Sequence, residues 1–147
     1  MVRHLTTVLF FFVLLSFESS AKQLDTAQLK TFSEFVIKET QESPVKLIPH
    51  LSNNIEVETV FGSNAEGFTL FFNKIQYVEL MSKLAKQLKD GKRDQDIDIF
   101  GFKVTPANNG EFRVIRYSEA IKRTVWSIYT VKLVNNKILI TKIIDLA

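Results

Sequence analysis

Residues 125–144 read VWSIYTVKLVNNKILITKII and decide the fold. On both sides of Asn135-Asn136, apolar residues recur at every second position, which is the pattern of two half-buried strands joined by a tight turn. Asn tolerates the left-handed backbone that such a turn requires. Trp126 and Ile128 lie on the face opposite Tyr129. The face that includes Tyr129 is formed by Val125, Ser127, Tyr129, Val131 and Leu133.

Two more strands precede this hairpin. Residues 96–104 alternate but change phase beside Gly101, which predicts a bulge that bends the strand. Asn108-Asn109-Gly110 predicts a turn, and residues 112–117 form the next strand. The last strand continues through Leu146. Four strands with short connections predict an antiparallel meander.

The first part of the chain predicts helices. Asp25 followed by Gln28 resembles a capping box, and Leu29, Phe32 and Val36 have helical spacing, so we expect a helix over 26–41. Ser43-Pro44 ends it and can begin a short second helix. Next we expect a turn at Asn53-Asn54, a short strand over 55–60 and a loop over 62–67.

Residues 68–90 predict a second long helix that ends before Gly91. Tyr77, Met81, Leu84 and Leu88 recur at helical spacing and give it an apolar stripe. The basic residues Lys83, Lys86, Lys89, Lys92 and Arg93 are expected to be a solvated surface. Their pattern has no stacking aromatics, so we expect no nucleic-acid partner.

The first 21 residues have the features of a secretory signal peptide. Arg3 and His4 precede an apolar run over 5–17, which is shorter than the ~20 residues of a membrane-spanning helix. Small residues at 19–21 suit cleavage before Lys22. We expect residues 22–147 to form one secreted domain without stable membrane insertion. An uncleaved membrane anchor is the alternative.

Composition limits the chemistry of the chain. Its 147 residues include no cysteine, which excludes disulfides, thiol nucleophiles and cysteine-based metal sites. After removal of residues 1–21, His50 is the one histidine, too few for the multi-histidine metal sites. We therefore expect no metal and no cofactor. The formal net charge of +3 is too small to indicate a partner.

The order of these elements resembles the NTF2-like superfamily, the cystatin-like α+β cone. The resemblance runs from about Leu24 to Ala147 and rests on the two amphipathic helices and the 125–143 hairpin. It implies an α+β fold in which N-terminal helices pack on a curved antiparallel sheet, with a conical cavity between them. The Gln-x-Val-x-Gly loop of cystatin inhibitors is missing, so protease inhibition is not carried over.

The aromatic content favours a binding protein. We expect a secreted, non-enzymatic domain that binds a small apolar ligand or a protein partner, with Arg116 as a candidate contact for an anionic group. The sheet face with Trp126 and Ile128 is a candidate homodimer surface. One alternative is an isomerase- or dehydratase-like enzyme in the cone; another is an interaction module with a filled core. No catalytic residue is assigned. The candidate ligand-binding residues are Phe32, Val36, Tyr77, Phe102, Arg116 and Tyr129.

Overall fold

The computed structural model describes residues 22–62 and 67–147. The predicted signal peptide lies outside these residues. Helix α1 spans Thr26–Glu42 and begins at the predicted capping box, in which Asp25 accepts from the Gln28 backbone and Gln28 caps Asp25 in return. A 3₁₀ helix follows at Pro44–His50, where Pro44 occupies the first turn and lacks the N–H that would otherwise be unpaired. Both predicted helices are confirmed.

The remaining elements are strands and one more helix. Strand β1 spans Leu51–Phe61 and β2 spans Phe68–Phe72. Helix α2 spans Lys74–Lys89. Strands β3 to β6 follow at Gln95–Val104, Asn109–Ser118, Arg123–Val134 and Lys137–Leu146, which confirms the predicted meander.

All six strands form one curved, open sheet in the order β2-β1-β6-β5-β4-β3. Neighbours pair antiparallel except β1 and β6, which are parallel, so the sheet is mixed. The β3–β4 register shifts between Phe100 and Lys103, around the left-handed Gly101, as the phase change predicted. Asn135 and Asn136 both have positive φ, as a tight hairpin turn requires.

The helices cover one face of the sheet. Leu29 and Val36 of α1 and Met81 of α2 pack in the same core as Val131 and Ile140 of the sheet. Helix α1 packs tightly on the sheet at Gly110, where an added Cβ would lie 3.1 Å from Leu29 Cδ1. Burial of each large aliphatic side chain contributes about 1.5–3 kcal/mol, so this layer is the main source of stability.

Two local predictions are wrong. Residues 68–72 form β2 instead of the start of a helix, because Asn73 caps α2 through Gln76 and thereby fixes the first turn at Lys74. Asn53-Asn54 lies within β1, at an irregularity in its pairing with β6, and does not turn the chain. Among residues 22–62 and 67–147, no helix combines the length and apolar character needed to cross a bilayer.

Candidate functional site

The six residues predicted to bind a ligand lie in four places. Tyr77, Arg116 and Tyr129 come from α2, β4 and β5 and influence one another electrostatically at the inner face of the sheet. Val36 is fully buried in the core, and Phe102 lies at β3 with Lys30 Nζ 5.5 Å from its ring centroid. Phe32 lines a groove outside α1. A ligand-binding role for these residues stays a prediction.

Arg116 is the centre of a polar network that joins three strands and a loop. Its Nε donates to Asp94 Oδ2 at 2.8 Å, and another guanidinium nitrogen donates to the hydroxyl of Ser127. Ser127 in turn donates to Asp145, which lies 3.7 Å from the guanidinium. Only 14% of the Arg116 side chain is exposed. We refer to Asp94, Arg116, Ser127 and Asp145 as the Arg116 cluster.

The cluster also fastens the loop before β3 to α1. The Asp94 backbone N–H donates to Gln41 Oε1 at 2.9 Å, and Gln41 Nε2 donates back to Asp94 Oδ2 at 3.3 Å. Asp94 therefore binds the C-terminal end of α1 and Arg116 at once. Through these hydrogen bonds and ion pairs, each charged group of the cluster has a partner inside the fold. Partly buried charges are tolerated when they are paired in this way.

Burial and neighbouring charges shift the pKa values of Tyr77, Tyr129 and Arg116. Burial raises the pKa of Tyr129 to about 12; Arg116 works against this rise, and Asp145 and Asp94 add to it. Burial also raises the pKa of Tyr77 well above its ordinary value. Burial acts to lower the pKa of Arg116, but Tyr129, Asp145 and Asp94 outweigh it and the net shift is upward. Both hydroxyls therefore stay protonated and the guanidinium stays charged.

Side chains fill the layer next to the cluster. The rings of Phe112 and Tyr129 stack with centroids 4.8 Å apart and an interplanar angle of 6°. Val114 and Val131 are fully buried beside them. This packing corresponds to the solid aromatic core that the sequence left open as an alternative.

An open apolar groove lies beside residues 27–35 of α1, and no member of the Arg116 cluster lines it. Its volume is about 580 Å³. The His50 ring contacts two phenyl rings, with its centroid 5.5 Å from that of Phe32 and 5.1 Å from that of Phe35. We call this surface the α1 groove. It is lined by Ala27, Gln28, Thr31, Phe32, Phe35, His50, Asn136, Lys137 and Ile138.

His50 has a defined tautomer when its ring is neutral. Its Nδ1 lies 3.1 Å from the carbonyl oxygen of Ile138. Because a carbonyl oxygen only accepts, Nδ1 carries the proton and Nε2 is left as a hydrogen-bond acceptor. The α1 groove thus combines aromatic walls with the Nε2 acceptor of His50.

Sequence reasoning missed several of these residues. It placed Ser127 on the inward face without a role, and it did not single out Asp94 or Asp145. The available signal was a polar residue at an inward position of a strand: Asp145 is two residues after the buried Ile143. His50 was assigned no role in binding, although it ends the 3₁₀ helix and is half-buried against two rings of α1.

The opposite face of the sheet is partly apolar. Trp126 is 47% exposed and meets Phe100 edge to face, with ring centroids 6.0 Å apart. Leu146 pairs with Trp126 across the strands and is also exposed. This is the surface predicted to form a homodimer, and that role stays a prediction. Among the described residues, no group of three acidic or histidine side chains is placed to hold a metal ion.

The fold is similar to that of several solved structures. An NTF2-like protein of unknown function from Silicibacter pomeroyi matches 81% of this chain and 92% of its own, with 13% identity and a TM-score of 0.59. A cystatin-like domain of unknown function from Nostoc punctiforme matches 83% of this chain and 76% of its own, at 13% identity and a TM-score of 0.61.

A designed protein shows the same architecture without any natural ancestry. The de novo NTF2 fold protein NT-9 matches 86% of this chain and 88% of its own, at 13% identity and a TM-score of 0.56. No protein-family model and no curated protein matches the chain. The helices on a curved, open sheet and these structural neighbours together establish that the chain has the NTF2-like α+β cone fold.

Proposed function

We propose that this chain is a secreted, non-enzymatic NTF2-like binding domain that holds a small apolar ligand in the α1 groove. The observation that carries the proposal is the groove itself, an open space of about 580 Å³ with mainly apolar walls. Sites for small molecules have volumes of about 300–1,000 Å³ and few polar groups among apolar ones. The apolar body of the ligand lies against Phe32, Phe35 and Ile138.

His50 gives the site its polar preference. Its Nε2 accepts a hydrogen bond when the ring is neutral, because Nδ1 is engaged by Ile138. A ligand that carries one hydroxyl or N–H group therefore satisfies this acceptor, whereas a pure hydrocarbon leaves it unpaired. Lys137 and Gln28 at the same groove supply further polar contacts.

The alternative of an isomerase- or dehydratase-like enzyme has less support. Such chemistry needs a carboxylate or histidine base next to a tyrosine donor in an apolar cavity. Tyr77 and Tyr129 do lie near Asp145. However, the Asp145 and Asp94 carboxylates accept hydrogen bonds from Ser127 and Arg116. Carboxylate oxygens that already accept from a guanidinium and a hydroxyl are not free to take a proton from a substrate, so this geometry favours a structural role for the cluster.

NMR titration tests the proposal. His50 is the one histidine of residues 22–147, so its ring proton Hε1 gives an isolated signal in the exported protein, assigned with a His50→Gln variant. We expect indole and 1-octanol to shift this signal saturably. Phe35→Ala should weaken the binding about tenfold, which corresponds to ~1.4 kcal/mol. Phe71→Ala, an exposed ring outside the groove, serves as the matched control and should leave binding unchanged.

Two results would overturn the proposal. One is a His50 signal that does not move at millimolar concentrations of either probe. The other is equal weakening by Phe35→Ala and Phe71→Ala, which would indicate unspecific adsorption to apolar surface. Native mass spectrometry of the exported protein adds an independent measurement, because a bound small molecule should be present in the wild type and lost in Phe35→Ala.

A further inference from the structure

The two edges of the sheet are built differently. Edge strand β3 carries Asp96, Asp98 and Lys103, and its pairing with β4 shifts register twice. Asp96 and Gly101 both have positive φ, which twists the strand away from a regular edge. Charges and bulges of this kind prevent a further strand from pairing.

Edge strand β2 has none of these features. Its five residues, FTLFF, contain no charge, glycine or proline, and they pair with β1 without a break from Phe68 to Phe72. Phe68, Leu70 and Phe71 are 58%, 42% and 69% exposed. In the described part of the chain, no strand lies on the outer side of β2. An uncharged, apolar edge is a template for strand addition.

Helix α2 forms a wall beside this edge. A groove of about 260 Å³ lies between Leu70, Phe71 and Phe72 of β2 and the outward side of α2, which contributes Leu80 and Lys83. A strand added to β2 would therefore gain backbone hydrogen bonds along the edge and side-chain contacts in the groove. This combination is typical of peptide recognition by strand addition.

We propose that the β2 edge binds the β2 edge of a second copy of this chain. An antiparallel pair centred on Leu70 places Phe68 opposite Phe72 and Thr69 opposite Phe71. Aromatic–aromatic and aromatic–β-branched pairs stabilise antiparallel strands, and an uncharged strand meets no like charge in its own copy. The pairing is two-fold symmetric and closes on itself, so it gives a dimer with one continuous sheet. Five residues make a small interface, so the dimer is weak.

Single cysteines test this arrangement directly, because the chain has none of its own. Facing residues of an antiparallel pair have Cα atoms ~4.5–5.5 Å apart, which suits a disulfide. With oxidised glutathione as the oxidant, the exported Leu70→Cys protein should cross-link at least about tenfold faster than Ile121→Cys, since pairing raises the local thiol concentration. Ile121 is an exposed apolar residue of a turn and reports random collision.

A second measurement covers the case of a misfolded cysteine variant. Light scattering at rising concentration should show dimer for the wild type and monomer for Leu70→Lys, with the circular dichroism unchanged. Equal cross-linking of Leu70→Cys and Ile121→Cys would overturn the proposal. A second contradicting result would be rapid cross-linking of the Trp126→Cys protein while the Leu70→Cys protein cross-links only at the collision rate, because that result places the dimer on the sheet face.

Discussion

The Arg116 cluster is bonded to α1 through Gln41 near the C-terminal end of the helix, and the α1 groove is lined by residues 27–35 of the same helix. The two regions differ in the partners of their polar groups. In the cluster, Arg116, Asp94 and Ser127 bind one another. In the groove, His50 uses one ring nitrogen for Ile138 and leaves the other as an acceptor. The comparison teaches that a concentration of charge inside a fold is not by itself a binding site. The binding site that we propose is the α1 groove, where His50 Nε2 and apolar surface are open to a ligand.

The largest expected effect comes from breaking the cluster. Arg116→Met removes the one cation between two carboxylates, and we expect the free energy of unfolding to fall by about 3 kcal/mol, as for other buried ion pairs that lose one partner. Arg113→Met is the matched control on the same strand, because its pair with Glu111 is half exposed and should contribute less than about 1 kcal/mol. Urea unfolding measures both. Equal losses in the two variants would contradict a structural role for the cluster.

The second expected effect is alkaline destabilisation. The pKa of Tyr129 is about 12 in the folded protein, against an ordinary 10.0. The unfolded chain therefore loses this proton first, and the stability that the buried neutral hydroxyl provides is complete below pH 10 and decreases as pH rises towards 12. The decrease is on the order of 2–3 kcal/mol for Tyr129.

Unfolding at a series of pH values, with Tyr129→Phe as the control, checks this prediction. The variant should lose much of the decrease but not all of it, because burial also raises the pKa of Tyr77. Absorbance titration near 295 nm should show Tyr129 ionising about two pH units above a free tyrosine. A wild-type stability that is flat between pH 10 and 12 would contradict the assignment.

A smaller effect is expected at the hydroxyl that links the cluster. Ser127→Ala removes one bond from Arg116 and one to Asp145, and we expect a loss of about 1–2 kcal/mol. The control is Ser82→Ala on the exposed side of α2, whose hydroxyl bonds only to a carbonyl of its own helix and should change stability by less than about 0.5 kcal/mol. Thermal or urea unfolding separates the two variants.

The spacing of apolar residues along the sequence decides how much of the fold could be predicted. The 125–144 hairpin and the capping box at Asp25 follow from local rules, and both are confirmed. Strand β2 was missed because five apolar residues next to a helical pattern have no period of their own, and only Asn73 marks the boundary. The parallel pairing of β1 with β6 joins distant segments, so no local signal reports it.

The candidate site was harder to predict than the fold. The sequence singled out Arg116 and Tyr129 as candidate binding residues, but it does not show that Asp94, from a loop, meets Arg116. Nor does it show that α1 sets two of its rings against His50, because that contact depends on how the 3₁₀ helix packs. Partners separated by many residues come from tertiary packing, which a single sequence does not report.

The smallest effect on stability is expected in the groove, where the effect on binding is large. Phe35 is only half-buried, so Phe35→Ala should lower the free energy of unfolding by no more than about 1–1.5 kcal/mol, less than Arg116→Met. Its weakening of indole binding would then not be a consequence of unfolding. Conversely, Arg116→Met should leave indole binding intact in the folded fraction, since no member of the Arg116 cluster lines the groove. If Arg116→Met abolished binding while the protein stayed folded, the ligand would lie at the Arg116 cluster. The polar groups of the cluster, and not His50 in the α1 groove, would then be the ones that bind it.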